Sequence, residues 1–66
     1  MKNNLRVERA AWRLTQDELA RRVAVSRQTI NALESGKYIP STVLALKLAQ
    51  VFGKSVEQLF ALEEED

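Results

Sequence analysis

A chain of 66 residues holds one hydrophobic core and no second, and with 45% apolar and 29% charged residues its composition is globular rather than disordered. It contains neither cysteine nor histidine, which excludes disulfides, the usual zinc sites and the commonest catalytic nucleophile and base; no enzyme activity, metal or cofactor is expected. The net charge of +1 is unevenly spread, with eight basic and four acidic side chains in residues 1–38 and two basic and five acidic in residues 39–66, an asymmetry that suits one face for a polyanion.

Helix breakers are few, Gly36, Pro40 and Gly53 being the whole set, and no stretch alternates apolar and polar residues over a strand's length. An all-α fold of five helices follows. Leu5, Glu8, Arg9 and Trp12 recur at helical spacing over residues 4–12, with Trp12 expected to cover the edge of the core. Thr15 with Glu18 three residues on forms a capping box for a second helix from Gln16 to about Val23, burying Leu19, Ala20 and Val23. Ala24 and Val25 make a short turn. Ser26 then caps a third helix from Arg27 to about Ser35 that buries Ile30 and Leu33, and Gly36 ends it in a left-handed conformation.

Ser41 caps a fourth helix whose apolar positions, Val43, Leu44, Leu46, Leu48, Ala49 and Phe52, cover more than one face, so it is expected to lie centrally. Gly53 ends it. Ser55 caps a short fifth helix with Val56, Leu59 and Phe60 turned inward. A single domain is expected over residues 1–62, followed by an acidic tail, Glu63 to Asp66, expected to fray. No apolar run nears the roughly 20 residues of a membrane span and no signal-peptide core opens the chain, so a cytoplasmic protein without a membrane role is expected. A core this small often gains stability by pairing with a second copy.

Two helices joined by a short turn, the second capped by Ser26 and rich in polar side chains, form the layout that sends a recognition helix into the DNA major groove. Their steep crossing needs a small residue on the first helix, here Ala20, facing the branched Ile30 and Leu33 on the second. Gln16, Ala20, Ile30 and Leu33 stand at positions 1, 5, 15 and 18 of a unit covering residues 16–35. At the exposed start of the third helix Gln28 can make a bidentate hydrogen bond to adenine, and Arg27 one to guanine or to a phosphate. Asn31, one turn beyond Arg27, faces the same way. Thr29 and Ala32 can offer methyl contacts to thymine, or serve only as helix surface.

From Leu5 to about Phe60 the sequence resembles the Cro and phage-repressor-like, or XRE-type, helix-turn-helix family. The resemblance is carried by Leu14-Thr15-Gln16, Glu18-Leu19-Ala20, Val25-Ser26-Arg27-Gln28-Thr29-Ile30-Asn31, Glu34-Ser35-Gly36-Lys37-Tyr38, Pro40-Ser41 and Ala45-Leu46-Lys47-Leu48-Ala49. The run from Val25 to Ser41 is especially similar to the short, stand-alone regulators of that family. One departure is Ala24, at a turn position usually filled by glycine; a positive φ there costs alanine about 1 kcal/mol.

The resemblance implies a lambda-repressor-like domain that binds double-stranded DNA, with base contacts at Arg27 and Gln28. It also implies a phosphate contact and a brace for the recognition helix at Gln16, and phosphate clamps at Lys37 and Tyr38. Ser26 can add a phosphate contact, though capping alone accounts for it, and Tyr38 can equally pack against the fourth helix. Arg9 and Glu34 match a structural ion pair between the first and third helices. Asp17 and Glu18 suit the helix dipole, and Arg21 and Arg22 a general positive field.

The same resemblance implies a homodimer, on a roughly palindromic operator, with its contact toward the C-terminal part: Leu59, Phe60 and Leu62, together with Ile39. Plain core packing is the competing role for these residues. In the short members the residues after the fifth helix can pair as a small strand, and Phe60-Ala61-Leu62 can do so with Met1 to Asn4. Repressor action on a promoter is the expected function. The rival from another class is an antitoxin or protein-interaction adaptor using the same fold. No small-molecule ligand is evident.

Overall fold

The computed structural model describes residues 1–66. In chain order it comprises β1 (Lys2–Asn3), α1 (Leu5–Ala11), α2 (Gln16–Arg22), α3 (Arg27–Glu34), α4 (Thr42–Phe52), α5 (Val56–Leu59) and β2 (Phe60–Ala61). The five helices are those expected from the sequence. The chain's two ends pair antiparallel, Lys2 opposite Ala61 and Asn3 opposite Phe60. The ribbon is only two residues wide and leaves Leu62 outside it.

Each helix starts where a hydroxyl replaces the missing turn. Thr15, Ser26, Ser41 and Ser55 accept hydrogen bonds from the backbone N–H of Glu18, Thr29, Leu44 and Gln58 at 3.1–3.2 Å. Glu18 and Gln58 complete the capping boxes by accepting from the backbone N–H of Thr15 and Ser55 at 3.0 and 2.8 Å. α1 departs from this rule: its cap residue Asn4 makes no side-chain cap bond, and the Leu5 N–H instead donates to Oδ1 of Asn3 at 3.2 Å.

Four helices also end alike. Arg13, Ala24, Gly36 and Gly53 have φ of +56°, +59°, +77° and +62°, and the residue after each donates its N–H back to the helix: Leu14 to Arg9, Val25 to Ala20, Lys37 to Ala32 and Lys54 to Ala49, at 2.9–3.1 Å. This doubly closed, left-handed ending satisfies carbonyls that the helix leaves orphaned. Two of the four positions therefore lack the glycine that the conformation favours. The strain expected at Ala24 is present, and Arg13 carries the same strain without any sequence signal to announce it.

Thirteen buried residues, all apolar, form one core to which every helix and β2 contribute. Leu5, Leu19, Ile30, Leu48 and Leu59 are its most enclosed members. α2 and α3 make the most extensive contact between any two elements, and Ala20, Ile30 and Leu33 are all buried. Trp12 caps α1 half-exposed and sets its ring edge-on to Phe52, centroids 6.2 Å apart. Lys54 reaches Glu8 at 2.7 Å and ties the loop before α5 to α1.

Three expectations are corrected. Val43 and Leu46 are more than half exposed, because α4 turns Leu44, Ala45, Leu48 and Phe52 inward and these fill the core without them. Leu59 and Phe60 are only 1% and 8% exposed within their own chain, so they have almost no surface to offer a second copy. The acidic tail, expected to fray, turns back. Glu63 Oε1 and Asp66 Oδ2 lie 3.1 and 3.2 Å from the Met1 ammonium. No helix is long and apolar enough to cross a membrane.

Ala24→Gly removes the steric cost of a left-handed alanine, and that gain outweighs the extra freedom glycine gives the unfolded chain. Stability in chemical denaturation should rise by about 1 kcal/mol, with the denaturant slope unchanged.

Candidate nucleic-acid interface

α3 has its rotation about its own axis fixed by Ile30 and Leu33, both fully enclosed. At about 100° per residue, Gln28 then lies roughly opposite the midpoint of these two, with Arg27 and Asn31 to one side of it. The structure brings these three together: all are exposed, and they alone line a shallow polar concavity of about 320 Å³ on the outer surface. Their side chains have no hydrogen-bond or ion-pair partner within the chain, whereas Arg21 is held by Asp17 at 2.8 Å and Arg9 by Glu34 at 2.7 Å. Five donor and acceptor groups of high capacity are thus aimed outward and left unsatisfied except by solvent.

The other sequence-predicted residues surround this trio unevenly. Thr29 and Ala32 are half-buried, and the Thr29 hydroxyl lies 3.0 Å from Ser26 Oγ, which also caps the helix. That pairing engages the Thr29 hydroxyl and leaves its methyl group unaffected. Lys37 and Tyr38 follow directly on the left-handed end of α3 and are exposed, Tyr38 without a hydrogen bond from its hydroxyl. Gln16, half-buried at the start of α2, donates from Nε2 to Glu34 Oε1 at 3.1 Å. Its amide therefore braces the last turn of α3.

Glu34 is the hub of that brace. Its side chain has no exposed surface, and it accepts from Arg9 Nε at 2.7 Å and Arg9 Nη2 at 3.2 Å as well as from Gln16. Arg6 Nε stands 3.5 Å away, and Arg9 Nη1 also donates to the Leu14 carbonyl at 2.9 Å. One carboxylate thereby joins α1, α2 and α3 with the turn between the first two. Burial is the largest single influence on its acidity and pushes it up. The hydrogen bonds from Arg9 and Gln16 with the Arg9 charge outweigh it, so the carboxyl titrates below its ordinary value.

Sequence reasoning missed one polar contact to the recognition helix. Asn3 Nδ2 donates to the Leu33 carbonyl at 2.8 Å, a bond across 30 residues of sequence. The pair Asn3-Asn4 ahead of a helix signals a cap; nothing in the sequence signals that partner.

A short-turn pair of helices with the second presenting an open polar face defines the helix-turn-helix class of fold. Residues 5–59 match the family model described as helix-turn-helix, and the chain belongs to that family, of the XRE type. It is 50% identical over 66 residues to the uncharacterized HTH-type transcriptional regulator MJ0272 of Methanocaldococcus jannaschii, with all of both chains covered. An uncharacterized HTH-type transcriptional regulator of Archaeoglobus fulgidus is 47% identical over all of this chain and 93% of its own. The uncharacterized HTH-type transcriptional regulator YgzD of Bacillus subtilis is 44% identical over the whole of both.

Because the Glu34 carboxyl is held below its unfolded value, its contribution to stability is present above that value, near pH 4.3, and is lost as pH falls through the lowered one. Glu34→Gln, which leaves Arg9 uncompensated, should cost about 2 kcal/mol at pH 7. The gap between the two proteins in denaturant unfolding should narrow progressively below about pH 4.

Proposed function

We propose that this protein is a sequence-specific, double-stranded-DNA-binding transcriptional regulator, acting as a homodimer that represses from a palindromic operator. The observation that carries the proposal is the unsatisfied trio Arg27, Gln28 and Asn31 on the outward face of a helix whose other face is locked into the core. A major groove supplies the partners this trio lacks: a glutamine or asparagine amide matches the donor and acceptor of adenine, and an arginine matches guanine. The half of the chain that holds α3 is the basic half, and Lys37 and Tyr38, exposed directly after α3, are the residues we assign to phosphate contacts. Membership of the helix-turn-helix family and the HTH-type regulator names of the relatives support the same function.

One copy offers three base-reading side chains, too few for useful discrimination, and two copies related by a two-fold axis match a two-fold operator. Ile39 and Leu62, exposed at 66% and 79%, are the two of the sequence-predicted contact residues that face outward. Ile39 stands on the rim of an apolar hollow of about 240 Å³ lined also by Met1, Pro40, Leu46, Val56 and Phe60. A protruding side chain beside a hollow on the same patch is what a self-complementary contact needs. The patch begins five residues after α3 ends, and the chain measures 31 × 22 × 21 Å. Two copies side by side therefore suit recognition helices about 34 Å apart.

Electrophoretic mobility shifts against genomic fragments at two salt concentrations test the DNA reading. Tight binding to a few fragments, weakening steeply as salt rises, is expected, since each neutralised phosphate releases counterions. Gln28→Ala should lose about 1 to 3 kcal/mol at one base position, whereas Lys37→Ala should weaken all sequences alike. Absence of tight binding to any fragment, with Gln28→Ala inert, would favour the protein-adaptor function. Ile39→Arg should yield a folded monomer in sedimentation with operator affinity reduced at least tenfold; a dimer of unchanged strength would remove this patch from the contact.

A further inference from the structure

We propose that Asn3 is a positioning residue for base reading, setting the tilt of the recognition helix from the chain's terminal ribbon; the inference rests on the DNA-binding function proposed above. Its half-buried side chain divides its two ends between two helices. Nδ2 donates to the Leu33 carbonyl in the last turn of α3 at 2.8 Å, and Oδ1 accepts the first N–H of α1, from Leu5, at 3.2 Å. The Leu33 carbonyl also accepts the Gly36 N–H at 3.0 Å, so both its lone-pair directions are used and the oxygen is held from two sides.

Asn3 is itself held firmly. It pairs with Phe60 in the ribbon, and its neighbour Asn4 is fixed to α5 by its backbone N–H to the Leu59 carbonyl at 2.8 Å and its Nδ2 to the Gln58 carbonyl at 3.2 Å. The amide thus reaches α3 from a frame formed by α1, α5 and β2.

This attachment differs from the neighbouring one at Glu34, which binds α3 to α1 and α2. Ile30 and Leu33 seat α3 in the core and Glu34 ties its last turn to α1 and α2; the Asn3 bond adds, at the neighbouring residue, a directional restraint on its tilt from the terminal ribbon. The leverage is large for Arg27 and Gln28, which lie at the far end of α3. α3 has eight residues and is about 12 Å long, so a pivot of 5° at its last turn carries Arg27 through roughly 1 Å. A functional site tolerates a displacement of about 0.5 Å. Core formation does not depend on the bond, since Leu33 is buried by its apolar neighbours and Asn3 is not among the core residues.

Asn3→Asp keeps the shape and the acceptor for Leu5 but loses the donor to Leu33, and Asn3→Ala removes both bonds. Residual dipolar couplings on the free proteins should register α3 reoriented by 5° or more relative to α1 and α5 in both variants. Affinity for the best duplex selected from a random-sequence pool should fall about tenfold, while affinity for an unrelated duplex of equal length at the same salt changes less than twofold. A merely stabilising role would lower the thermal midpoint and leave that ratio where it was. Unchanged α3 orientation in both variants, or an equal loss on both duplexes, overturns the proposal. A wild-type protein that prefers no duplex would instead refute the DNA-binding function, and the couplings would still decide whether Asn3 sets the tilt.

Discussion

A single carboxylate, that of Glu34, makes the three N-terminal helices one body. α1 and α2 are seven residues each and α3 eight, all below the length at which a helix persists in water by itself. Apolar packing gathers them but does not specify their angles sharply, because leucine and isoleucine contacts are non-directional. The Arg9 guanidinium, the Gln16 amide and the Glu34 carboxylate are directional, and they meet around a carboxylate whose own side chain has no exposed surface. The cost of enclosing a charge is offset by three donors at hydrogen-bond distance, and no buried polar side-chain atom anywhere in the chain is left without a partner.

Polar groups inside the fold are thus all spent, and those at the N-terminal end of α3 are not. The contrast gives the surface its meaning. Arg6, Arg9 and Arg21 are paired with carboxylates, while Arg27 has no such partner and stands beside the equally unpartnered side chains of Gln28 and Asn31. On the far side of the loop that follows α3, the exposed apolar residues Ile39, Val43 and Leu46 form a second distinct surface, which a chain burying only 13 residues can ill spare unless something covers it. One outer face is equipped for polar readout and the adjoining one for apolar contact, matching the two proposed roles.

Helix positions were legible because four of the five starts are marked by a local hydroxyl and two of the four left-handed ends carry glycine, Gly36 and Gly53, while Ala24 was flagged by the family resemblance. The outward trio was legible for a related reason, since the period of a helix fixes which residues oppose Ile30 and Leu33. Arg13 was not, because an arginine carries no turn signal and its left-handed geometry is imposed by the bonds from Leu14 to Arg9 and from Arg9 to Leu14. Val43 and Leu46 misled for the opposite reason. Hydrophobicity alone cannot separate a core face from a contact face on an 11-residue helix that has apolar residues on both. Leu59 and Phe60 were read as turned inward from their place at the fifth helix, and their burial agrees with that reading rather than with the dimer contact implied by resemblance; Asn3 depends on a partner 30 positions away, which no local pattern encodes.

The pairing of Lys2 with Ala61 and Asn3 with Phe60 closes almost the entire chain into a loop, whereas most other contacts join elements adjacent in sequence. Closing so long a loop carries an entropy cost that grows with its length, and the two-residue ladder meets it together with the Asn4 bonds to Leu59 and Gln58 and the Met1 ion pairs. A covalent clasp between the two ends would therefore restrict the unfolded chain far more than the folded one, and stabilise the domain from outside its leucine interior.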